Sequence, residues 1–281
     1  MAYVCGIYGY QITRAVQVED FEILPLESEY QKAKALAEDK NSCQLTAILK
    51  GENLPTDDFL FNFEAVLSFI ENSRVFVTSP TEANENEDCF SQFNKEIAYR
   101  RKNGGGAVIG NDTFFDNSRE RFIQKIMSKL QDKDFCEKSK FNILFFKCVE
   151  ALRSNFLDVQ YFLLFSGLET FARAIASDEK IRDNSNVSVP ICELLRSYGF
   201  DVSCDKKEDL KRAISSYAHI RNSVFHNSEI AVKKNVHGNI IEYKLTDYFP
   251  NFKILVSLVI LKAVDFDDGY TNWNRWIDFQ F

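Results

Sequence analysis

The sequence has few of the residues that build metal sites and disulfide frameworks. It contains only three histidines among 281 residues, and its seven cysteines lie twelve or more positions apart, without a Cys-x-x-Cys motif or a Cys/His cluster. Because structural zinc sites and small disulfide-rich folds depend on such clusters, both are disfavoured, and reduced, mostly buried thiols are favoured. We expect no metal and no other cofactor.

Excess positive charge and long apolar runs are also absent. The net charge is −7, whereas a protein that coats nucleic acid non-specifically is usually basic, so any contact with nucleic acid should be local. The longest apolar run, 254–261, is far shorter than the roughly 20 residues that a membrane span needs. The segment MAYVCGIYGYQITR lacks the features of a signal peptide. We therefore expect a cytoplasmic protein without membrane contact.

The residues that are present divide the sequence into two parts, and its length fits two domains. Runs rich in β-branched and aromatic residues predict strands at 2–12, 22–26, 43–50 and 73–79. Helical spacing of apolar residues predicts helices at 28–39, 58–71, 117–131, 135–154, 158–177, 189–198, 206–226 and 249–265. A β-hairpin is predicted at 230–245. We predict an α+β protein with a mixed α/β domain at 1–115 and an all-α bundle at 116–281 that carries the hairpin as an insertion.

Residues 80–115 are predicted to form a flexible linker. They begin with Pro80 and an acidic, asparagine-rich run, and later combine Arg100, Arg101 and Lys102 with three successive glycines. No GK[ST] sequence follows, so the segment is not a P-loop. A glycine-rich loop beside basic residues can bind a phosphate, which makes Arg100 and Arg101 candidate RNA-binding residues. The alternative is an exposed loop without such a role.

The strongest chemical signal lies near the end of the predicted helix 206–226. Arg221 falls four positions after Tyr217 and three before Val224, on or beside the apolar stripe of that helix, where an unpaired cation would be costly. We therefore expect an anionic group to meet it. Asn222 and His226 are four positions apart and share one helix face. Taken singly, each residue has an ordinary structural explanation, but together they place a cation, an amide and an imidazole close to one another.

The segment Arg221-Asn-Ser-Val-Phe-His226 resembles the R-N-x-x-x-H form of the R-x4-6-H motif of HEPN domains. Three further segments follow the order expected for the family. They are the helix 158–177, which contains a Leu-Glu pair at 168–169, the segment ICELLRSYGF and the helix 249–265. The resemblance covers about residues 116–266 and is strongest to the Apea-like HEPN group of anti-phage defence proteins.

This resemblance implies metal-independent cleavage of RNA by a homodimer, in defence or as a toxin. The RNA 2′-OH would attack the adjacent phosphate, with His226 as proton acceptor in its neutral form and proton donor in its protonated form. Arg221 would stabilise the additional phosphate charge, and Asn222 would orient His226 or bind a phosphate oxygen. The expected partner is RNA, with tRNA as one candidate. An antitoxin or regulatory protein is a second possible partner. DNA lacks the 2′-OH and should survive.

Further residues are assigned supporting roles. Glu169 lies on an apolar helix and is a candidate to hold Arg221 or His226, or else to pair with Arg173. Tyr217 is a second supporting candidate, and Lys233 and Lys234 are candidates for contact with RNA. His219 and His237 are expected to be ordinary. The alternative to a nuclease is a non-catalytic HEPN module for dimerisation or for binding a nucleotide or partner, because Asn227 and Ser228 stand where the family often has glycine.

Overall fold

The computed structural model describes residues 2–83, 88–100, 106–205, 209–227, 229–236 and 238–278. The chain folds into two compact units, of which the first comprises 1–131 with 268–270 and the second comprises 132–267 with 271–281. This division lies after the helix Ser118–Gln131, whereas the sequence suggested a boundary before it. The reason is that this helix packs against a helix and a strand of the first unit.

An antiparallel sheet forms the centre of the first unit. Its strands are β1 (Ala2–Tyr8), β2 (Val16–Val18), β3 (Phe21–Pro25), β4 (Cys43–Gly51), β5 (Phe76–Val77), β6 (Thr81–Ala83) and β7 (Glu96–Ile97). The main order is β2-β3-β4-β1-β5, while β6 pairs with β1 and β7 with β4. On β3, Phe21 and Ile23 are buried while Glu22 and Leu24 are only partly buried, as the period of two predicts for a strand with one covered face. On β1, by contrast, all residues from Val4 to Tyr8 are buried, so both faces of that strand are covered.

The described part of the same unit also contains the helices α1 (Tyr30–Ala37), α2 (Asp57–Glu71) and α3 (Ser118–Gln131). The α2 helix begins where Thr56 Oγ1 accepts a hydrogen bond from the Phe59 amide at 3.2 Å. A buried ion pair joins the two long helices, with 2.6 Å between Arg119 Nη1 and Glu71 Oε1. Arg119 also donates to the Gln11 carbonyl oxygen, so its buried charge has both a counter-ion and a hydrogen-bond partner.

The segment 80–115 contains more regular structure than the sequence predicted. It includes β6, β7 and a short 3-10 turn at Cys89–Gln92. These elements have only two to four residues each, and β6 and β7 are stabilised by pairing with β1 and β4. Such pairing depends on tertiary contacts, so no local pattern reveals it. Residues 84–87 and 101–105 lie outside the described part of the chain.

The second unit consists of helices and one β-hairpin. Its helices are α4 (Lys133–Ser139), α5 (Phe141–Arg153), α6 (Leu157–Ile175), α7 (Glu179–Arg182), α8 (Ser188–Ser197), α9 (Ile214–Asn227), α10 (Leu245–Ala263) and α11 (Arg275–Asp278). The hairpin comprises β8 (Ala231–Val236) and β9 (Asn239–Lys244) between α9 and α10. The α6 helix packs against α5, α8, α9 and α10. The α+β class that the sequence predicted agrees with these helices and antiparallel sheets.

Three predicted helices of this unit have different bounds in the structure. The helix expected at 135–154 is divided at Lys140, whose φ of 59° is left-handed and ends α4. Of the helix expected at 206–226, residues 206–208 lie outside the described part of the chain, and α9 begins at Ile214, whose amide is bonded to the Ser203 carbonyl oxygen. The helix expected from 249 begins at Leu245 and includes Pro250.

Buried aromatic residues hold α9 in place. The Tyr217 ring stacks on Phe252 of α10 at 5.1 Å, and the Tyr161 hydroxyl of α6 donates to the Tyr217 carbonyl oxygen at 2.7 Å. The middle of α9 is thereby fixed to two neighbouring helices. None of the helices within the described ranges combines the length and apolar character needed to cross a membrane.

Candidate functional site

The predicted motif lies in the C-terminal half of α9. Ile214, Tyr217 and Ile220 are buried on one side of the helix, while Asn222 and His226 are exposed and Arg221 lies at the edge, with 30% of its side chain exposed. The sequence had placed Val224 on the apolar stripe, but Val224 is only partly buried and Ser223 takes the core-facing position. This rotation of the buried face leaves Arg221 accessible from solvent.

Arg221 makes three kinds of contact. Its Nη1 donates a hydrogen bond to Asn222 Oδ1 at 2.9 Å, and its Nη2 lies 3.9 Å from Glu169 Oε2 on α6. The guanidinium carbon also lies 5.4 Å from the centre of the Phe225 ring, within the range of a cation–π contact. The arginine therefore meets an anionic group from the neighbouring helix, and its charge stays partly open to solvent.

Of the three partners that the sequence suggested for Glu169, the structure places Arg173 and Arg221 beside its carboxylate. Its Oε1 accepts from Arg173 Nε at 3.0 Å, one turn further along α6, while its Oε2 faces Arg221. Arg173 is anchored in turn, because its Nη1 donates to the carbonyl oxygens of Arg182 and Asn184. Since these side chains are partly exposed, each ion pair should stabilise the fold by only about 0–1 kcal/mol.

His226 is exposed in the last turn of α9. Its ring centre lies 6.4 Å from that of Phe225, with 69° between the ring planes. Phe225 is itself 45% exposed, and its ring centre lies 4.3 Å from that of Phe162 on α6. Neither phenylalanine is among the site residues predicted from the sequence. Phe225 could have been noticed from its place next to the histidine, whereas its contact with Phe162 depends on helix packing.

We call these residues the α9 cluster, which consists of Arg221, Asn222 and His226 on α9 with Glu169 from α6. Tyr217 lies on the buried side of the same helix, where its hydroxyl donates to the Lys211 carbonyl oxygen at 2.9 Å. Burial raises the pKa of Tyr217 well above that of a free tyrosine, so this phenol stays protonated. Its contacts support the position of α9 from within the core.

The hairpin carries the two lysines that were candidates for RNA contact. Lys233 and Lys234 are exposed on β8, and Lys233 Nζ lies 4.0 Å from Glu242 Oε1 on β9. His219 lies on α9 and faces the hairpin, with its ring 5.9 Å from that of Tyr243 on β9. Burial lowers the pKa of His219, and the positive charge of Lys234 lowers it further.

Three further residues singled out from the sequence are Arg100, Arg101 and His237. Arg100 is an exposed residue of the first unit, while Arg101 and His237 are outside the described residues. Within the described ranges, no group of three or more His, Cys, Asp or Glu side chains could hold a metal ion. Comparison with models of protein families, with curated proteins and with solved structures gave no match. The chemistry of the α9 cluster is therefore the basis on which a function is inferred.

Proposed function

We propose that this protein is a metal-independent RNA endonuclease of the HEPN type, with Arg221, Asn222 and His226 as its catalytic residues. The observation that carries the proposal is the composition of the α9 cluster. A partly exposed guanidinium is hydrogen-bonded to an exposed amide, and an exposed imidazole follows one turn later on the same helix. An imidazole can transfer the protons of RNA transesterification and a guanidinium can stabilise the charge that develops on the phosphate. The motif that contains them resembles that of the HEPN family.

Each residue has a role that suits its chemistry. The 2′-OH of a nucleotide attacks the adjacent phosphorus and the bond to the 5′-oxygen breaks, which leaves a 2′,3′-cyclic phosphate. Neutral His226 accepts the proton of the 2′-OH, and a protonated imidazole donates one to the leaving oxygen, a form of catalysis worth roughly 10²–10⁴-fold. Arg221 donates hydrogen bonds to the phosphate oxygens as their charge increases. Asn222 holds the guanidinium in place and contacts the same phosphate.

Two copies of the chain explain how an acid and a base act together. One α9 cluster contains a single histidine, whereas the reaction needs one imidazole in each protonation state. We propose a homodimer in which two α9 clusters face each other. Phe156 and Val159 at the start of α6 leave apolar surface exposed in the same unit, which is consistent with a protein–protein contact.

The cellular role follows from the family resemblance alone. An RNA endonuclease of this type acts in the cytoplasm, in anti-phage defence or as a toxin, with tRNA as one candidate substrate. An antitoxin or regulatory partner would keep such an activity in check.

Cleavage of RNA without metal tests the proposal. The full chain is incubated with total tRNA and with a single-stranded RNA in EDTA, as wild type, His226→Ala and the matched control His219→Asn, which changes a histidine on the same helix. We expect wild type and His219→Asn to cleave, leaving 2′,3′-cyclic phosphate ends, and His226→Ala to lose at least about 100-fold in rate. Circular dichroism checks that all three fold.

Intact RNA after incubation with folded wild-type protein would contradict the proposed activity. If the protein is nevertheless a dimer, and remains one in His226→Ala, the result favours the non-catalytic module that binds a nucleotide or a partner. DNA of the same sequence serves as a further control, because it lacks the attacking 2′-OH.

A further inference from the structure

Phe225 is an exposed aromatic residue directly beside the candidate catalytic histidine. A phenylalanine that leaves 45% of its surface in water forgoes much of the free energy that burial would provide. The ring is nevertheless held in position, because it packs on Phe162 at 4.3 Å and contacts the Arg221 guanidinium at 5.4 Å. The result is a supported aromatic surface that is open to solvent.

We propose that Phe225 is the stacking platform for one RNA base, that of the nucleotide on the 5′ side of the cleaved phosphate. This inference rests on the proposed function and adds to it a substrate class, single-stranded RNA. Aromatic side chains combined with a nearby cation are the common means of binding unpaired bases. Here Phe225 provides the aromatic face, and Arg221 provides the cation for the adjoining phosphate.

The covalent structure of RNA explains why this base is the one selected. The attacking 2′-OH is on C2′ of the ribose, and C2′ is bonded to C1′, which carries the base. A nucleotide that presents its 2′-OH to His226 therefore brings its own base within one sugar ring of the imidazole. The Phe225 and His226 rings are 6.4 Å apart, a separation that lets one nucleotide contact both.

Stacking on Phe225 also determines which RNA can react. A base in a duplex is paired and covered by its neighbours on both faces, so it cannot lie against the ring without being displaced. An unpaired base in a loop or single strand is free to do so. Every base has a π-face, so we expect tolerance of sequence together with discrimination against duplexes.

Two substitutions separate stacking from packing. Phe225→Leu retains apolar contact with Phe162 but has no π-face, whereas Phe225→Trp enlarges the π-face. The cleavage site of a short single-stranded RNA is first mapped with wild type. The same RNA is then prepared with an abasic ribose, which keeps its 2′-OH, on the 5′ side of the cut, and separately on the 3′ side.

We expect the 5′ abasic site to lower kcat/KM of the wild type by about tenfold, since a stacked base contributes on that order. With unmodified RNA, kcat/KM of Phe225→Leu should be about tenfold lower than that of the wild type, and it should not decrease further with the 5′ abasic RNA. Phe225→Trp has a π-face, so its kcat/KM should decrease with the 5′ abasic RNA at least as much as that of the wild type. The 3′ abasic site should affect all three equally. An equal decrease from the 5′ abasic site in wild type and Phe225→Leu would overturn the platform, because double-mutant coupling would then be absent.

A binding measurement distinguishes failure of the platform from failure of the nuclease. In the His226→Ala protein, 2-aminopurine is placed in turn at each position of the RNA, and its fluorescence should be quenched at one position only when Phe225 is present. If 2-aminopurine fluorescence is quenched only when Phe225 is present, but the wild type cleaves no RNA, the proposed nuclease activity is rejected and the stacking role of Phe225 is retained. Cleavage with no quenching that depends on Phe225 would reject the platform and retain the nuclease. A dimer that dissociates in Phe225→Leu, with unchanged quenching, would assign Phe225 to the interface between copies and overturn the inference.

Discussion

Glu169 on α6 and Arg221 on α9 approach each other across the packed helices, with 3.9 Å between Glu169 Oε2 and Arg221 Nη2. The other carboxylate oxygen of Glu169 is held by Arg173 at 3.0 Å. One carboxylate thus lies between two guanidinium groups, and the three side chains together carry one positive charge. Glu169 can orient Arg221 without cancelling the charge that a phosphate would meet.

Removing the charge of Glu169 should weaken catalysis through Arg221. We expect Glu169→Gln, which keeps the shape of the side chain, to lower kcat of RNA cleavage about two- to fivefold with little change in KM, because a partly exposed ion pair contributes up to about 1 kcal/mol. Separate determination of kcat and KM tests this. The control is Glu150→Gln, which removes a carboxylate–arginine pair on α5. An equal effect of both substitutions would argue against a positioning role for Glu169.

The planar guanidinium of Arg221 should matter more than its charge. Arg221→Lys keeps the charge but loses the two-pronged donor geometry, so we expect kcat to fall about 100-fold, on the order of removing one donor to a developing oxyanion. The comparison is Arg212→Lys, where the wild-type guanidinium contacts Asp201 and Asp209 instead. Thermal unfolding of both variants establishes that they are folded. Full activity in Arg221→Lys would mean that a positive charge at this position is sufficient for catalysis and that the planar guanidinium is not needed.

The exposed lysines of β8 should contribute to RNA binding through charge. In the His226→Ala background, we expect Lys233→Ala/Lys234→Ala to weaken binding of single-stranded RNA and to reduce the slope of log Kd against log salt by about 0.7 for each phosphate group that is no longer neutralised. Fluorescence anisotropy over a salt series measures the slope. Lys211→Ala, an exposed lysine before α9, is the control. An unchanged slope in the double variant would remove the hairpin from the RNA-binding surface.

Half-burial of His219 should make the protein sensitive to acid. The pKa of His219 is lowered from 6.5 in the folded state, first by burial and then by Lys234, with Asp205 opposing the shift. The unfolded chain therefore binds the proton more readily, so the free energy of unfolding should fall as the pH drops through about 6.5 and level off below the folded pKa. Urea unfolding at pH 7.5, 6.5 and 5.5 tests this. The free energy of unfolding of His219→Asn should decrease less over that range than that of the wild type. An identical decrease would exclude His219 as the cause of the acid sensitivity.

Sequence patterns were informative wherever structure is local. Predicted 58–71 matches α2 at Asp57–Glu71, and predicted 230–245 matches the hairpin, because helical spacing and strand-turn-strand composition are local signals. The break at Lys140 was missed because no glycine marks it, although its backbone is left-handed. The helix expected from 249 begins four residues earlier, at Leu245, and it tolerates the absence of one backbone hydrogen bond at Pro250 near its start.

In the candidate site, too, the features that depend on local spacing were predictable from the sequence, and those that depend on helix packing were not. The shared face of Asn222 and His226 follows from their spacing of four on a helix, and the need of Arg221 for an anionic group follows from the cost of an unpaired cation. The contact between Phe162 and Phe225 brings together residues more than sixty positions apart, so it depends on how α6 and α9 pack. Tyr217 was predicted to support the site, and its ring lies in the core, where its hydroxyl donates to the Lys211 carbonyl oxygen.

The β-hairpin after α9 is hydrogen-bonded at its base, and Gly238, next to its turn, has open space around it. The Leu245 amide bonds to the Ile230 carbonyl oxygen at 2.8 Å, whereas at Gly238 a side chain would meet nothing within 4 Å. The turn is therefore a suitable insertion point for an affinity tag or a fluorescent label, since an added segment would leave the base of the ladder intact. A fluorophore there would report on RNA arriving near β8 without altering any residue of the α9 cluster.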